Sequence, residues 1–141
     1  WSCPPAPTER RGLKLGYTIL YVDDVPATLT AWRDAFGLTV DYAHEDGIYG
    51  ELATGETTLA FAETEFGRGH FEDAETRAMF DGQPRRFEVG LVTEDVLGAY
   101  DRATASGMRA VRPPFEQPWG QTVCWVRDAN GILIELSSPV T

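Results

Sequence analysis

Two stretches of this sequence share one pattern. Tyr17–Val25 reads YTILYVDDV and Glu88–Val96 reads EVGLVTEDV, so an apolar strand runs into Asp-Val in both. The second stretch lies 71 positions after the first (96 − 25 = 71). Self-similarity at a fixed offset is the mark of an internal repeat. The sequence therefore predicts a chain built from one structural unit that is used twice.

Each copy continues into an amphipathic helix. The apolar positions follow i, i+4, i+7 spacing, which is typical of one helix face. They are Val25, Leu29 and Trp32 in the first copy, and Val96, Tyr100 and Ala103 in the second. Asp24 and Asp95 are the predicted N-caps, whose side chains accept hydrogen bonds from backbone N–H groups. Gly37 and Gly107 are the predicted left-handed residues at the helix ends.

Three short strand-like runs follow each helix and are separated by turn-forming residues. They are Leu38–His44, Ile48–Ala53 and Thr57–Glu63 in the first copy, and Arg109–Phe115, Gln121–Arg127 and Ile132–Ser137 in the second. Each copy is thus a βαβββ module. Two such modules can set their sheets edge to edge as a half-open, cupped mixed β-sheet with helices on the outer face. The predicted fold class is α+β.

The modules and their connections divide the chain into four parts. Residues 1–13 are a Pro-containing N-terminal arm, and residues 14–63 are the first βαβββ module. Residues 64–84 are an acidic linker, with a short helix predicted near Glu72–Phe80. Residues 85–141 are the second βαβββ module, and residues 14–141 together form one structural domain.

The composition limits the possible partners. The 141 residues include 12 Lys and Arg and 22 Asp and Glu, so the formal net charge is −10. This charge argues against nucleic acid and anionic membrane surfaces as partners. The charge favours the approach of a cationic ligand, although solubility alone also accounts for it. No apolar run is long enough to span a membrane. Cys3 and Cys124 form no disulfide or zinc pattern, so a cytoplasmic protein is expected.

The doubled βαβββ plan resembles the vicinal oxygen chelate superfamily, also called the glyoxalase / bleomycin-resistance / extradiol dioxygenase superfamily. The residues that carry the resemblance are Val22–Val25 leading into Ala31–Leu38, and Pro118–Gln121 leading into Arg127–Leu136. The resemblance extends from about Leu15 to Pro139. It is specific for the fold and much less so for the activity, because one fold hosts many chemistries.

The resemblance implies metal ligands at four equivalent strand positions. In this sequence those positions hold Tyr17, Ala60, Glu88 and Glu135, and only two of them are carboxylates. A catalytic divalent metal normally takes three protein ligands and an open position, so no cofactor is expected here. The alternative is a divalent metal ion on Glu88 and Glu135, and a third reading has both carboxylates hydrogen-bonded within the protein.

Strand alternation places a set of side chains in a shared cleft. The predicted ligand-binding residues are Tyr17, Glu88, Glu135, Trp119, Trp125 and Phe61. Trp119 lies in a turn, where it either stacks on a planar or cationic ligand or forms a lid without a ligand role. Trp125 and Phe61 are either cleft walls or core residues.

The preferred hypothesis is a metal-independent small-molecule-binding protein of the bleomycin-resistance, antibiotic-sequestering type. The resemblance implies a homodimer with clefts between subunits, in which the N-terminal arm is either exchanged or a free tail. The cleft would hold a planar or cationic ligand between aromatic rings and carboxylates. The alternative is a metal-dependent glyoxalase- or dioxygenase-like lyase or isomerase that uses Glu88 and Glu135, and a third possibility is a protein-contact module with a vestigial cleft.

Overall fold

A computed structural model describes residues 12–140, so most of the predicted N-terminal arm lies outside the described residues. Each half of the chain has the predicted βαβββ order. The elements are β1 (Tyr17–Val22), α1 (Val25–Phe36), β2 (Val40–Ala43), β3 (Tyr49–Leu52), β4 (Thr58–Glu63), α2 (Thr64–Arg68), α3 (Ala74–Ala78), β5 (Val89–Val92), α4 (Val96–Ala105), β6 (Arg109–Glu116), β7 (Thr122–Arg127) and β8 (Leu133–Ser137). The linker contains the helix α3 within the predicted segment, and also α2, which the sequence did not predict.

The eight strands form two four-stranded mixed sheets. Their orders are β1-β4-β3-β2 and β5-β8-β7-β6. The parallel pairs are β1 with β4 and β5 with β8, which are the first and last strands of each module along the chain. The other pairs are antiparallel. The α+β fold built from two βαβββ modules is therefore confirmed. The strands form two separate hydrogen-bonded sheets, whereas the prediction described one cupped sheet.

The caps explain where the two long helices begin and end. Asp24 Oδ1 accepts a hydrogen bond from Ala27 N at 3.0 Å, and Asp95 Oδ1 accepts one from Gly98 N at 2.9 Å. Helix α1 ends at Gly37, which has a φ of +71° that favours glycine. Helix α4 ends at Ala105, two residues before Gly107 takes the positive φ. The sequence thus predicts both starts, and at both ends it predicts the glycine that takes a positive φ.

One hydrophobic core joins the two modules. Helix α1 covers one face of the first sheet, α4 covers one face of the second, and the two helices contact each other. Trp32 and Phe61 are fully buried, with ring centroids 5.1 Å apart. The same cluster includes Ala103 of α4 and Cys124 of β7. Each sheet therefore keeps one face that its own helix does not cover, and these are called the first and the second open face.

A hydrogen bond accepted by a buried carboxylate and one donated by a neighbouring amide attach the second module to α1. Asp128, in the β7–β8 turn, accepts from Trp32 Nε1 through Oδ2 at 3.0 Å. The neighbouring Asn130 donates from Nδ2 to Thr28 Oγ1, also at 3.0 Å. The turn of one module is thereby fixed to the helix of the other.

The repeat-equivalent junction on the other side of the helix pair has no such bonds. Ala99 and Ala103 occupy the positions 71 residues after Thr28 and Trp32, and alanine has no polar side-chain atom (28 + 71 = 99; 32 + 71 = 103). A groove of about 1060 Å³ opens there between β1, the end of α1 and β5. It lies mainly on the helix side of the sheets, and Glu88 is among the residues that line it.

An arginine joins two parts of the linker to each other, and a phenylalanine packs the linker against β1. The Arg68 guanidinium donates to Asp81 Oδ1 at 2.7 Å and to the Arg77 carbonyl oxygen at 2.8 Å. The adjacent Phe80 is buried and meets the Tyr21 ring edge-on, with centroids 4.6 Å apart. No helix between residues 12 and 140 is long and apolar enough to cross a bilayer.

Candidate functional site

An acidic and aromatic cluster occupies the second open face. Trp125 of β7 lies directly across from Glu135 of β8. The Trp125 indole Nε1 donates a hydrogen bond to Oε1 of Glu88 at 3.2 Å. Glu88 is the residue just before β5. Gly90 faces Glu135 across the parallel pair, and a Cβ atom there would lie 3.9 Å from Glu135 Oε1. Because Gly90 has no side chain, space remains beside this carboxylate.

The two carboxylates of this cluster repel each other. Burial raises the pKa of Glu135, and the charge of Glu88 raises it further. None of the ion pairs among residues 12–140 involves either of these carboxylates. A cation placed between them would remove the repulsion, and the Trp125 ring beside it would add a cation–π contact.

A basic group lies on the β6 side of the same face. Arg112 is the cross-strand partner of Trp125, and Phe115 is the partner of Val123. The Arg112 guanidinium carbon lies 3.6 Å from the Phe115 ring centroid, and the Phe115 and Trp125 centroids are 6.0 Å apart. The second open face therefore presents acids, aromatic rings and a guanidinium in sequence across the sheet.

The first open face is rich in phenols. Tyr17 of β1, Tyr42 of β2 and Tyr49 of β3 share it, and Tyr17 is 59% exposed. The Tyr49 hydroxyl donates to Glu51 Oε2 at 2.6 Å. Burial raises the pKa of Tyr49, and the hydrogen bond to Glu51 raises it further. Because this carboxylate already has a partner, the first open face offers mainly aromatic surface.

The structure places the predicted site residues in four different surroundings. Glu88, Glu135 and Trp125 are in one cluster, and Trp125 lies on the second open face, outside the hydrophobic core. Tyr17 lies on the open face of the other sheet. Trp119 is exposed in the β6–β7 turn, where its Nε1 donates to Gln121 Oε1 at 3.0 Å.

Phe61 requires a correction. It is 0% exposed and packs edge-on against Trp32, on the helix side of the first sheet. Its neighbours Ala60 and Ala62 point to the open face instead, because successive residues of a strand alternate. Phe61 is therefore a core residue, and the assignment to the ligand-binding set does not follow from its position.

Sequence reasoning missed several side chains that the sheets bring to these faces. They are Arg112 and Phe115 on the second open face, and Tyr42 and Glu51 on the first. The signal for Tyr42 and Glu51 was available in the alternation of β2 and β3. Arg112 was harder to assign, because the register of β6 against β7 shifts on both sides of it.

The donor set does not fit a divalent metal of the kind that the resemblance implies. Ala60 supplies no ligand atom, which leaves the Tyr17 phenol on the first sheet and two carboxylates on the second open face. Between residues 12 and 140, no three or more His, Cys, Asp or Glu side chains come together as a metal-binding group. Two carboxylates fall short of the three protein ligands that a catalytic site normally supplies.

A comparison with models of protein families identifies the family. A family model described as the glyoxalase/bleomycin resistance protein/dioxygenase superfamily matches residues 14–136. None of the curated proteins matches the chain in sequence.

Solved structures share the fold at low identity. A glyoxalase/bleomycin resistance protein/dioxygenase family enzyme from Burkholderia phytofirmans PsJN has a TM-score of 0.75 at 18% identity, covering 92% of this chain and 100% of that one. A glyoxalase-related enzyme from Fulvimarina pelagi has a TM-score of 0.75 at 15% identity, covering 89% and 88%. TioX from Micromonospora sp. ML1 has a TM-score of 0.68 at 22% identity, covering 89% and 98%. With the family model spanning both modules, the chain belongs to the glyoxalase/bleomycin resistance protein/dioxygenase superfamily.

Proposed function

We propose that this protein is a metal-independent small-molecule-binding protein of the bleomycin-resistance type. Its ligand is planar and carries a positive charge. The ring stacks on Trp125 and the charge lies between Glu88 and Glu135. The observation that carries the proposal is the pair of carboxylates beside an indole, without a cationic partner among the described residues.

The chemistry of the cluster favours this ligand class. Each carboxylate can accept hydrogen bonds from an ammonium or amidinium group, and such charge-assisted bonds are stronger than neutral ones. An indole face attracts cations by about 0.5–2 kcal/mol, depending on how far the pair is removed from water. The net charge of −10 raises the local concentration of cations and so speeds their association.

We also propose that the protein acts as a homodimer that completes the cleft. Each open face is only one wall, and a ligand pocket normally surrounds most of its ligand. The phenols Tyr17, Tyr42 and Tyr49 of one copy would face the acidic cluster of the other. The exposed apolar side chains Ile19 and Tyr21 on the same face give the contact a hydrophobic component.

The binding test uses a fluorescent planar cation, 9-aminoacridine, and follows its anisotropy as protein is added. We expect saturable binding that weakens about tenfold or more in the Glu88→Gln, Glu135→Gln double variant, because both counter-charges are lost. The matched control is Glu56→Gln with Glu75→Gln, two exposed carboxylates elsewhere on the surface. Equal affinity in the two double variants, or no saturable binding at all, would contradict the proposal.

Metal content separates this proposal from the metal-dependent enzyme. Elemental analysis of the purified protein should find no near-stoichiometric Mn, Fe, Ni or Zn. Binding of 9-aminoacridine should survive treatment with a chelator. A stoichiometric metal that disappears in Glu135→Gln would instead support the lyase or isomerase reading.

The dimer is tested by light scattering during gel filtration. Ile19→Glu introduces a charge on the first open face and should shift the protein from dimer to monomer, with weaker 9-aminoacridine binding. Leu97→Glu is the control, since Leu97 is also exposed but lies on helix α4. A monomeric wild-type protein that binds the probe fully would refute the shared cleft.

A further inference from the structure

We propose that the second open face selects an amphoteric ligand, with an acidic group bound by Arg112 as well as a cationic group bound by Glu88 and Glu135. This inference rests on the proposed function and defines its ligand class more narrowly. It assigns Arg112, a residue on the strand farthest from β5 in this sheet, as the specificity-determining residue.

The guanidinium of Arg112 is held in place by an aromatic ring and has no acidic partner among the described residues. It stacks on Phe115 at 3.6 Å from the ring centroid. Within residues 12–140, no carboxylate lies close enough to form an ion pair with it. What distinguishes Arg112 is its place, because it lies across from Trp125 on the face that carries Glu135 and contacts Phe115 there.

Stacking leaves the hydrogen-bonding capacity of the guanidinium free. The face of the group lies on the Phe115 ring, whereas its N–H groups point outward in the plane of the guanidinium. This planar fork matches a carboxylate or phosphate in geometry. Contact with Phe115 also limits the rotamers of the side chain, so less conformational entropy is lost when an anion binds.

The sheet sets the distance between the two charged ends. Glu135 lies on β8, Trp125 on β7 and Arg112 on β6, and these strands are consecutive in the sheet. Neighbouring strands are about 4.8 Å apart, so the backbones that carry the acid and the base are separated by about 10 Å. A two- or three-ring aromatic system is of similar length and would lie over Trp125 between them.

Trp125 also explains why the opposite charges do not neutralise each other within the protein. Its indole occupies the strand between them and donates its N–H to Glu88. The face therefore keeps a separated positive and negative end. A ligand with the opposite arrangement of charges satisfies both ends, whereas a simple cation leaves Arg112 without a counter-ion.

The test compares 9-aminoacridine with its 2-carboxylic acid derivative, which has the same ring system and amine and adds one carboxylate. Anisotropy titrations on the wild-type protein should show about tenfold tighter binding of the amphoteric probe. Arg112→Gln should abolish this difference by weakening only the carboxylate-bearing probe. Arg33→Gln, which removes an exposed positive charge on α1, should preserve it.

The outcomes distinguish this inference from the proposed function. If both probes bind equally to the wild type, or if Arg112→Gln weakens both by the same factor, the amphoteric selection is wrong while the cation site stands. If neither probe binds saturably, the proposed function itself fails. If Arg33→Gln abolishes the difference as Arg112→Gln does, overall charge and not Arg112 accounts for the selectivity.

Discussion

Replacing Asp128 should weaken the attachment between the two modules. This side chain is only 6% exposed and accepts four hydrogen bonds. Oδ1 accepts from the backbone N–H groups of Asn130 and Ile132 at 3.0 and 2.9 Å. Oδ2 accepts from Trp32 Nε1 at 3.0 Å and from Asn130 Nδ2 at 2.9 Å.

Asp128→Asn keeps the shape and removes half of this acceptor capacity. The amide has one oxygen, so its NH₂ group must face two donors whichever way the side chain is turned. Hydrogen bonds to a charged group contribute about 1.5–3 kcal/mol each, so losing two should lower the free energy of unfolding by at least about 3 kcal/mol. For a chain of this size, the melting temperature should fall by roughly 10 °C.

Urea denaturation followed by far-ultraviolet circular dichroism measures this loss. Asp34→Asn is the control, because Asp34 is exposed and forms only a surface ion pair with Arg33, for which we expect a change within about 0.5 kcal/mol. Combining Asp128→Asn with Trp32→Phe should give a non-additive result, with a coupling of about 1 kcal/mol or more. A loss under about 1 kcal/mol in Asp128→Asn would refute the reasoning that these bonds hold the modules together.

Three further variants test the packing and the ionisation. Glu135→Gln should stabilise the protein at about pH 7 and leave its stability unchanged at about pH 4. The raised pKa of Glu135 makes the stability of the wild type fall as the pH rises above 4.5, and the variant does not have this loss. A variant as stable as the wild type at both pH values would contradict this. In a Cys3→Ser background, Cys124 should resist thiol reagents at about pH 8 until the protein is unfolded, because burial raises its pKa to about 11. Gly67→Ala should lower the unfolding free energy by about 1–3 kcal/mol, because the added Cβ would lie 2.7 Å from Phe80; thermal unfolding measures the loss.

The repeat made the fold predictable, because it can be detected without knowing any contact. An apolar run, a capping Asp and an i, i+4, i+7 stripe recur at one offset, and each has a local physical cause. The linker was less predictable. Arg68 holds it by bonds to Asp81 and to the Arg77 carbonyl oxygen, and these partners are set by tertiary packing.

The candidate site was predictable only within single strands. Alternation placed Glu135 correctly on an open face, but the partner of Trp125 depends on the register of β7 against β8. Phe61 was misassigned because both faces of the apolar strand β4 are buried. The hydrophobicity of its residues therefore does not reveal on which face Phe61 lies. Arg112 depends on irregular pairing that no sequence period encodes.

The two copies of the module differ on their open faces, and in the proposed shared cleft the two faces would have different roles. On the first open face the carboxylate of Glu51 is already hydrogen-bonded to Tyr49, so this wall offers aromatic area rather than available charge. On the second, Glu88, Glu135 and Arg112 have no ion-pair partners among residues 12–140. In the proposed function, charge recognition is therefore assigned to the second module. Glu135 is the partly buried member of the three, and burial raises its pKa, so in the proposed site its charge serves binding at a cost to stability.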